Sequence, residues 1–337
     1  MTGSRRRLLK TGMWNPPAAP PNQGRTTVTT AFTITARFHT DGEGPEDVAF
    51  DHDGQIVTGL VDGRIVRIDP ITGDRTIVGS TGGRPLGVQP SRDRSVLICD
   101  HDKGLLRMSS TGKIDVLVDE IDGAPLRFAS NVTEHADGTI WFTVSSRRWD
   151  LENYLGDVFE HSCTGLLVQR DPDGTLTVLL DRLKFANGLT LAPDQTHLLF
   201  AETEGYRVSR YWLTGTKIGT VEPLIDNLPG LPDNISLGSD ALVWVSIAAP
   251  RNALLDRLLP RFGLLRTLLW NLPIRVRPKA TPIAWVMAFD LHGRVIYDLR
   301  SDDGCYDFVT SVAEYDSVVV AGSLHATDIV HIALPPK

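Results

Sequence analysis

Four oxygen-bearing side chains recur at a similar distance before a turn in a repeating pattern of short apolar segments. They are Glu46, Asn131, Asn187 and Asp233, which stand six or seven residues before Asp53-Gly54, Asp137-Gly138, Asp194-Gln195 and Ser239-Asp240. If the repeats surround an axis, side chains at one offset point to a shared place. Two carboxylates and two amides at that place predict a hard-cation site, for which Ca²⁺ is the expected occupant and another divalent cation the alternative.

A simpler explanation is that Asn and Asp are common turn formers at the ends of strands. That explanation is sufficient for any one of the four residues. It is weaker for four residues at one offset, because Gly87 and Thr310 occupy the corresponding places in the other two repeats. The pattern therefore favours a metal site, and it supports metal binding more firmly than catalysis.

The repeats that position these side chains each contain about four strand-sized segments separated by Asp-Gly-type turns. Six repeats can be counted, beginning near residues 46, 86, 130, 187, 233 and 310. Units of this kind predict an all-β fold, a six-bladed β-propeller around a central channel. The last repeat lacks one strand, and we expect the N-terminal segment 31–38 to pair as its outer strand and close the ring. The predicted organisation is an arm over residues 1–30, basic and then Pro-rich, followed by one propeller domain over residues 31–337.

The composition restricts the classes of partner. The net charge of −7 and the absence of a basic stripe argue against a nucleic-acid partner. The three cysteines, Cys99, Cys163 and Cys305, form no CxxC pair, so neither a disulfide framework nor a zinc knuckle is indicated.

The N-terminal segment 4–10 (SRRRLLK) resembles a twin-arginine export signal, but no apolar stretch follows it. A basic leader, or a true start at Met13, is the preferred interpretation. No window of 18 consecutive apolar residues predicts a transmembrane span. A cytoplasmic location is therefore expected.

Candidate catalytic residues follow from the blade geometry. If each first strand starts at one mouth of the channel, each second strand returns to that mouth. His325 ends the second strand of the last repeat and is the preferred general base, because an imidazole titrates near neutral pH. His101 and Glu202 occupy similar places and are the next candidates. The alternative for each is an ordinary solvated side chain at the rim.

Two long interruptions, at residues 147–163 and 249–283, fall at this same mouth and are expected to roof it. The second carries leucines at three- to four-residue spacing with breaks near Pro260 and Gly263, which predicts one or two amphipathic helices inserted in blade 5. It is also basic within an acidic protein. Three interpretations stay open: a lid whose apolar face lines a substrate pocket, a cap over the channel, and a peripheral contact with a membrane.

Several short motifs occur together in a characteristic order, including GPED (44–47), LKFANG (183–188), AET (201–203) and LPGLPDN (228–234). Through them the chain resembles, over about residues 40–335, the calcium-dependent six-bladed propellers. That family comprises strictosidine synthase-like proteins, senescence marker protein/gluconolactonases and paraoxonases, and the resemblance is greatest to the branch of adipocyte plasma-membrane-associated protein. It implies metal ligands at Glu46, Asn187, Asp233 and Asn234.

The chain departs from this family at two positions. Relatives usually carry Asn-Asp where this chain has Ser130-Asn131, so that either residue could supply the ligand. Asn131 is preferred because an amide oxygen is the better calcium ligand. The acidic residue that strictosidine synthases use in the last blade corresponds to Thr310, which disfavours their condensation chemistry.

The sequence therefore predicts a Ca²⁺-dependent hydrolase acting on a lactone or carboxylic ester, with the metal at the channel mouth as a Lewis acid. The alternatives are a non-catalytic, metal-stabilised binding propeller and a strictosidine synthase-like lyase. The expected partner is a small-molecule ester or lactone. The oligomeric state is not predicted.

Overall fold

The computed structural model describes residues 9–20, 29–277 and 280–335 of the chain. These residues form six large β-sheets, antiparallel apart from one added edge strand, which are arranged as the blades of a propeller. Aspartate-capped turns join the strands, as at Asp51, whose Oδ1 accepts hydrogen bonds from the backbone N–H groups of Asp53 and Gln55, both at 3.0 Å. The prediction of an all-β six-bladed propeller is confirmed.

Each blade contains four sequential or near-sequential strands. Blade 1 comprises Val48–Phe50, Ile56–Gly59, Arg64–Ile68 and Arg75–Ser80. Blade 2 comprises Pro85–Pro90, Val96–Asp100, Gly104–Met108 and Ile114–Val118. Blade 3 comprises Ala129–Glu134, Ile140–Val144, Gly165–Arg170 and Leu176–Leu183. Blade 4 comprises Ala186–Leu191, His197–Glu202, Arg207–Trp212 and Val221–Ile225.

The last two blades include the N-terminal strands. Blade 5 comprises Gly230–Leu237, Val243–Pro250, Ala284–Phe289 and Val295–Ser301, with Thr29–Ala31 added in parallel at its outer edge. Blade 6 comprises Val309–Tyr315, Val318–Ser323, Asp328–Ala333 and, outermost, Thr33–His39. The N-terminal strand therefore closes the last blade, as predicted, by antiparallel pairing with Asp328–Ala333. A hairpin of Glu120–Ile121 and Ala124–Pro125 and the fifth strand of blade 5 were not predicted.

The core lies between the blades. Each of the six junctions between neighbouring blades contains a cluster of buried apolar side chains. The junction of blades 6 and 1 joins Phe38 of the N-terminal strand to Val48 and Ile56. Because this junction is as apolar as the others, the ring is closed by burial as well as by strand pairing.

Among the described residues there are three short α-helices, and all three lie in the two insertions that precede the third strands of blades 3 and 5. Helix α1 is Tyr154–Glu160, α2 is Ala253–Leu258 and α3 is Gly263–Asn271. The described 3₁₀ segments are Leu151–Asn153, Thr203–Gly205, Gly215–Lys217, Ser239–Ala241 and Ile274–Val276. Helix α2 begins after Asn252, whose side chain accepts from two backbone N–H groups, and the break before α3 contains Pro260. The predicted helical insertion in blade 5 is confirmed.

The described part of the N-terminal arm, residues 9–20, passes over both insertions. The Gly12 N–H donates to the Glu160 carbonyl at 2.8 Å, and the Trp14 ring stacks on His161 with centroids 4.7 Å apart. Residues 1–8, which include most of the basic segment 4–10, and residues 21–28 of the predicted arm lie outside the described residues. Among the described residues, no helix combines the length and apolar character that crossing a membrane requires.

Candidate metal centre and roofed cavity

The first strands of the blades, or the residues just before them, place oxygen-bearing side chains at one mouth of the channel. Glu46 of blade 1, Ser130 of blade 3, Asn187 of blade 4 and Asp233 of blade 5 line the same cavity, which has a volume of about 170 Å³. All four residues are buried. Blade 2 contributes Gly87 at this level, where a Cβ atom would come within 2.4 Å of the Ser130 carbonyl oxygen, so no side chain has room there.

The polar side chains in the cavity form a short chain of hydrogen bonds. Ser130 Oγ donates to Asn187 Oδ1 at 2.9 Å, and Asn187 Nδ2 donates to Asp233 Oδ1. Across the cavity, Glu46 Oε1 accepts from Asn234 Nδ2 at 3.3 Å. Glu46 Oε2 is buried and has no hydrogen-bond partner among the described residues. Such an oxygen is costly to bury unless a cation or another donor contacts it.

Burial and neighbouring carboxylates raise the pKa of the two carboxyl groups in the cavity. Burial raises the pKa of Glu46 well above its ordinary value, the nearby Asp233 and Asp47 carboxylates raise it further, and Arg84 lowers it in part. Burial raises the pKa of Asp233 to about 8, against the hydrogen bond from Asn187. A divalent cation would stabilise the charged forms of both groups. The donor set of two carboxylates, an amide and a hydroxyl therefore fits a hard cation such as Ca²⁺.

Asn131 does not share the cavity with the residues predicted to join it. The Asn131 Oδ1 atom accepts a hydrogen bond from the Leu189 backbone N–H at 3.1 Å. The Asn131 Nδ2 atom donates to Asn234 Oδ1 at 3.2 Å and lies 3.4 Å from Asp47 Oδ2. Ser130, the neighbouring residue, lines the cavity instead. The sequence-based choice of Asn131 over Ser130 thus does not match the geometry, because the amide oxygen of Asn131 is used by the backbone of blade 4.

Asn234 and Asp47 support the cavity from the channel side. Asn234 contacts Glu46 and Asn131 through the hydrogen bonds given above, and it is not among the residues that line the cavity. Asp47 accepts from Ser311 Oγ at 2.6 Å and from the Val88 N–H at 2.9 Å, and burial raises its pKa to about 6. The sequence prediction missed Asp47, although it lies within the GPED motif.

The three predicted general bases lie elsewhere. His101 Nε2 accepts from the Leu151 backbone N–H at 2.9 Å, which leaves Nδ1 to bond Asp102 Oδ1 at 3.0 Å. Glu202 is buried and accepts from the Lys184 N–H at 3.0 Å and from Arg207 Nε at 2.6 Å. Both side chains therefore hold neighbouring segments in place.

His325 is exposed, and its ring lies 4.7 Å from that of Phe308. It lines an adjacent pocket together with His101. None of His325, His101 and Glu202 is among the residues that line the cavity. Thr310 does line it, and its Oγ1 donates to the Glu46 carbonyl at 2.6 Å, so this position fixes the backbone of a candidate ligand.

Both insertions cover the cavity with apolar side chains. The first insertion contributes Leu151, Tyr154, Leu155, Val158 and Phe159, and the second contributes Leu254, Leu255, Leu258 and Leu269. The propeller itself adds Leu86, Phe128 and Phe185. A small polar floor beneath a large apolar roof is the usual form of a site for a mainly apolar small molecule.

A buried charged cluster fastens the roof. Arg266 of α3 is fully buried and donates to the carbonyl oxygens of Phe159 at 2.9 Å and Glu160 at 3.3 Å, and also to that of Gly12. Burial and the neighbouring Glu160 raise the pKa of Glu204 to about 8, while Arg266 lowers it in part. One side chain thus joins α3, the first insertion and the N-terminal arm.

Comparison with known proteins agrees with this architecture. The family model for strictosidine synthase matches residues 131–216, and the model for the N-terminal region of strictosidine synthase-like proteins matches residues 37–68. The chain is 32% identical to strictosidine synthase-like 13 of Arabidopsis thaliana over 77% of its own length and 73% of that protein. It is 28% identical to the human adipocyte plasma membrane-associated protein over 86% of this chain and 75% of that one.

Some plant relatives are matched only in part. Strictosidine synthase-like 6 of Arabidopsis thaliana is 38% identical over 64% of this chain, which spans 61% of that protein. Among solved structures, a gluconolactonase of Xanthomonas campestris aligns with a TM-score of 0.64 at 16% identity, covering 91% of this chain and 94% of that one. Regucalcin of Agrobacterium tumefaciens, described as a calcium-binding protein, aligns with a TM-score of 0.63 at 15% identity, covering 91% and 96%. At such identities the solved structures establish the fold alone.

The molecule is thus a six-bladed β-propeller with an acidic cavity, covered by two insertions, at one mouth of its channel. The extent of the match to strictosidine synthase-like 13 shows the family. The chain belongs to the strictosidine synthase-like family of propellers.

Proposed function

We propose that this protein is a metal-dependent hydrolase that acts on a lactone or carboxylic ester with an apolar substituent, and that Ca²⁺ is its metal. The observation that carries the proposal is the convergence of Glu46, Ser130, Asn187 and Asp233, from four different blades, in one buried cavity. The names of two fold neighbours, a gluconolactonase and a calcium-binding regucalcin, agree with this proposal. The proposal includes the cytoplasmic location that was expected from the sequence.

In this proposal Glu46, Asn187 and Asp233 hold the metal, with Ser130 at the remaining position. A bound divalent cation supplies Lewis acidity, which polarises a carbonyl oxygen and stabilises negative charge that develops on it. Asn234 positions Glu46 by a hydrogen bond to its carboxylate, and Thr310 does so by a hydrogen bond to its backbone carbonyl. The apolar roof excludes bulk water and strengthens the electrostatic interactions beneath it.

Two other functions compete with hydrolysis. A strictosidine synthase-like lyase is favoured by family membership, but the position of the expected acidic residue is Thr310, which bonds a backbone carbonyl. A non-catalytic binding propeller is disfavoured because two insertions cover the face on which a protein partner would sit. A small-molecule substrate remains the best fit to a cavity of about 170 Å³.

The proposal is tested by assaying purified protein on a panel of lactones and aryl esters, with added calcium and with a chelator. We expect hydrolysis that a chelator abolishes and that calcium restores. Calcium content and melting temperature should be measured on the same samples, because a metal that binds only the folded state raises its stability. Calcium binding without turnover of any ester or lactone would instead favour the binding propeller.

A second test concerns the roof. Leu258 lines the cavity and is buried, whereas Leu265 on the same insertion is 41% exposed and does not line it. Leu258→Ser should raise KM for long-chain esters by about tenfold or more, because apolar contact area is lost. KM for small lactones and the calcium content should change little. Leu265→Ser is the matched control, and an equal effect of both substitutions on long-chain KM would contradict this role of the roof.

A further inference from the structure

The outer side of helix α3 is apolar, and its inner side contains a charge. Leu264 is 90% exposed, Leu268 is 61% exposed and Leu265 is 41% exposed, whereas Arg266 is fully buried. A surface helix of a globular protein normally turns its leucines inward and its arginines outward. Helix α3 does bury Trp270 on its inner side, but it leaves three leucines in water on its outer side, which is typical of a surface that meets an apolar partner.

The apolar surface extends beyond α3 and has a basic rim. Leu254 and Phe262 are each 48% exposed, and Val276 is 62% exposed. Exposed arginines alternate with these residues in the same insertion, at Arg257, Arg261 and Arg275. The one acidic residue of the insertion, Asp256, bonds Arg251 and the Tyr206 hydroxyl, so it does not neutralise the rim. We call residues 253–277, seen from this side, the lid face.

We propose that the lid face docks on a lipid bilayer that contains anionic lipids. Exposed leucine and phenylalanine side chains can enter the boundary between headgroups and acyl chains, and arginines beside them can contact lipid phosphates. The charge pattern selects this occupant, because the basic rim stands out in a chain of net charge −7. A second copy of the chain would bring a second basic rim against the first, and this repulsion disfavours self-association through the lid face.

The lid face is continuous with the rim of the cavity. Leu254 is exposed on this face and also lines the cavity, next to Leu255 and Leu258. Docking would therefore hold the roof against the bilayer, so that an apolar substrate could pass from the lipid to the cavity without crossing water. This route rests on the proposed hydrolase function, whereas the docking itself does not.

Flotation of the full chain with lipid vesicles tests the docking. The vesicles are phosphatidylcholine alone and phosphatidylcholine with phosphatidylserine. Wild-type protein should float with the anionic vesicles and less with the neutral ones, and added salt should weaken its binding. The double variant Leu264→Ser, Leu268→Ser should bind at least about tenfold more weakly, because the contribution of two inserted leucines is lost. Arg257→Glu with Arg261→Glu should remove the preference for anionic vesicles.

The matched control is the double variant Ile71→Ser, Ile218→Ser. These residues are 92% and 66% exposed, and they lie in turns between third and fourth strands, at the end of the propeller opposite the cavity. This variant should bind vesicles as wild type does. Circular dichroism and melting temperature must show that each variant is folded. Hydrolysis of a water-soluble lactone should be unchanged in the leucine variant, which separates docking from the proposed activity.

Three outcomes would overturn the proposal. The first is that wild-type protein fails to float with anionic vesicles at moderate salt. The second is that the leucine variant binds vesicles as well as the isoleucine control does. The third is self-association in the absence of vesicles, seen by analytical ultracentrifugation and lost in the leucine variant, since that result would assign the lid face to a second copy of the chain.

Discussion

Asp233→Ala is expected to abolish tight calcium binding and, with it, hydrolysis. Asp233 is buried in the cavity, and it is one of two carboxylates there that could neutralise a divalent cation. Changes to side chains that merely support a metal ligand cost about 10- to 100-fold in affinity, so loss of a ligand should cost at least about 100-fold. The melting temperature of the variant should no longer rise with added calcium. Titration calorimetry and calcium content measure the binding directly.

The direction in which loss of the Asp233 charge changes the melting temperature of the metal-free protein provides an independent check. Burial raises the pKa of Asp233 to about 8, so at pH values above 8 the folded protein carries a buried charge that the unfolded chain would expose to water. Asp233→Asn removes that charge with little change of shape. At high pH and without calcium, the Asp233→Asn variant should therefore melt at the same temperature as wild type or at a higher one. With calcium present, the variant should melt at a lower temperature than wild type.

Asp115→Ala, at a surface ion pair with Lys113, is the control for an aspartate far from the cavity. Calcium content unchanged in Asp233→Ala would refute the proposed metal centre.

The blade pattern was readable from the sequence because it depends on local chemistry. Asp-Gly-type turns and alternating apolar residues are determined over a few positions, and the same signals occur in every repeat. The closing strand could be inferred because a sixth blade with three strands leaves an exposed edge. The hairpin at residues 120–125 and the extra strand Thr29–Ala31 carry no comparable signal, because both depend on contacts formed only after the blades assemble.

The choice between Ser130 and Asn131 was not readable for a definite physical reason. The first strand of blade 3 has a register shift between Ala129 and Val132, which contains both residues, and blades 4 and 5 have similar shifts around Asn187 and Asp233. A β-bulge breaks the alternation of side chains, so counting from the turn cannot assign a direction to either residue. The recurrence of the bulge at this level explains why polar residues from several blades can face one cavity.

The predicted general bases lie outside the cavity lining for a different reason. Their positions at the ends of second strands follow from the blades, but the insertions decide which pocket each one faces. His101 Nε2 bonds the backbone of Leu151, in the insertion of blade 3, and both His101 and His325 line the adjacent pocket. The conformation of such a long loop depends on contacts remote in sequence, such as the bonds from Arg266 to Phe159 and Glu160. Periodicity carries no information about them.

A chain that begins at residue 40 is expected to aggregate, because it lacks the outer strand of blade 6. Thr33–His39 pairs with Asp328–Ala333, its Phe38 packs in the cluster between blades 6 and 1, and its Arg37 forms an ion pair with Asp328 at 2.7 Å. Removing these contacts exposes a strand edge and apolar core together. The loss in free energy of unfolding should exceed about 5 kcal/mol, which is comparable to the whole stability of many domains. Size-exclusion chromatography and thermal melting measure the outcome.

A chain that begins at residue 33 is the matched control, because it retains the closing strand. It loses the arm over the two insertions and the strand Thr29–Ala31, so its roof should be less stable, but the ring stays closed. We expect this protein to be monodisperse and to melt cooperatively at a lower temperature than the full chain. A soluble, cooperatively melting protein beginning at residue 40 would show that the apolar junction between blades 6 and 1 holds the ring without its outer strand.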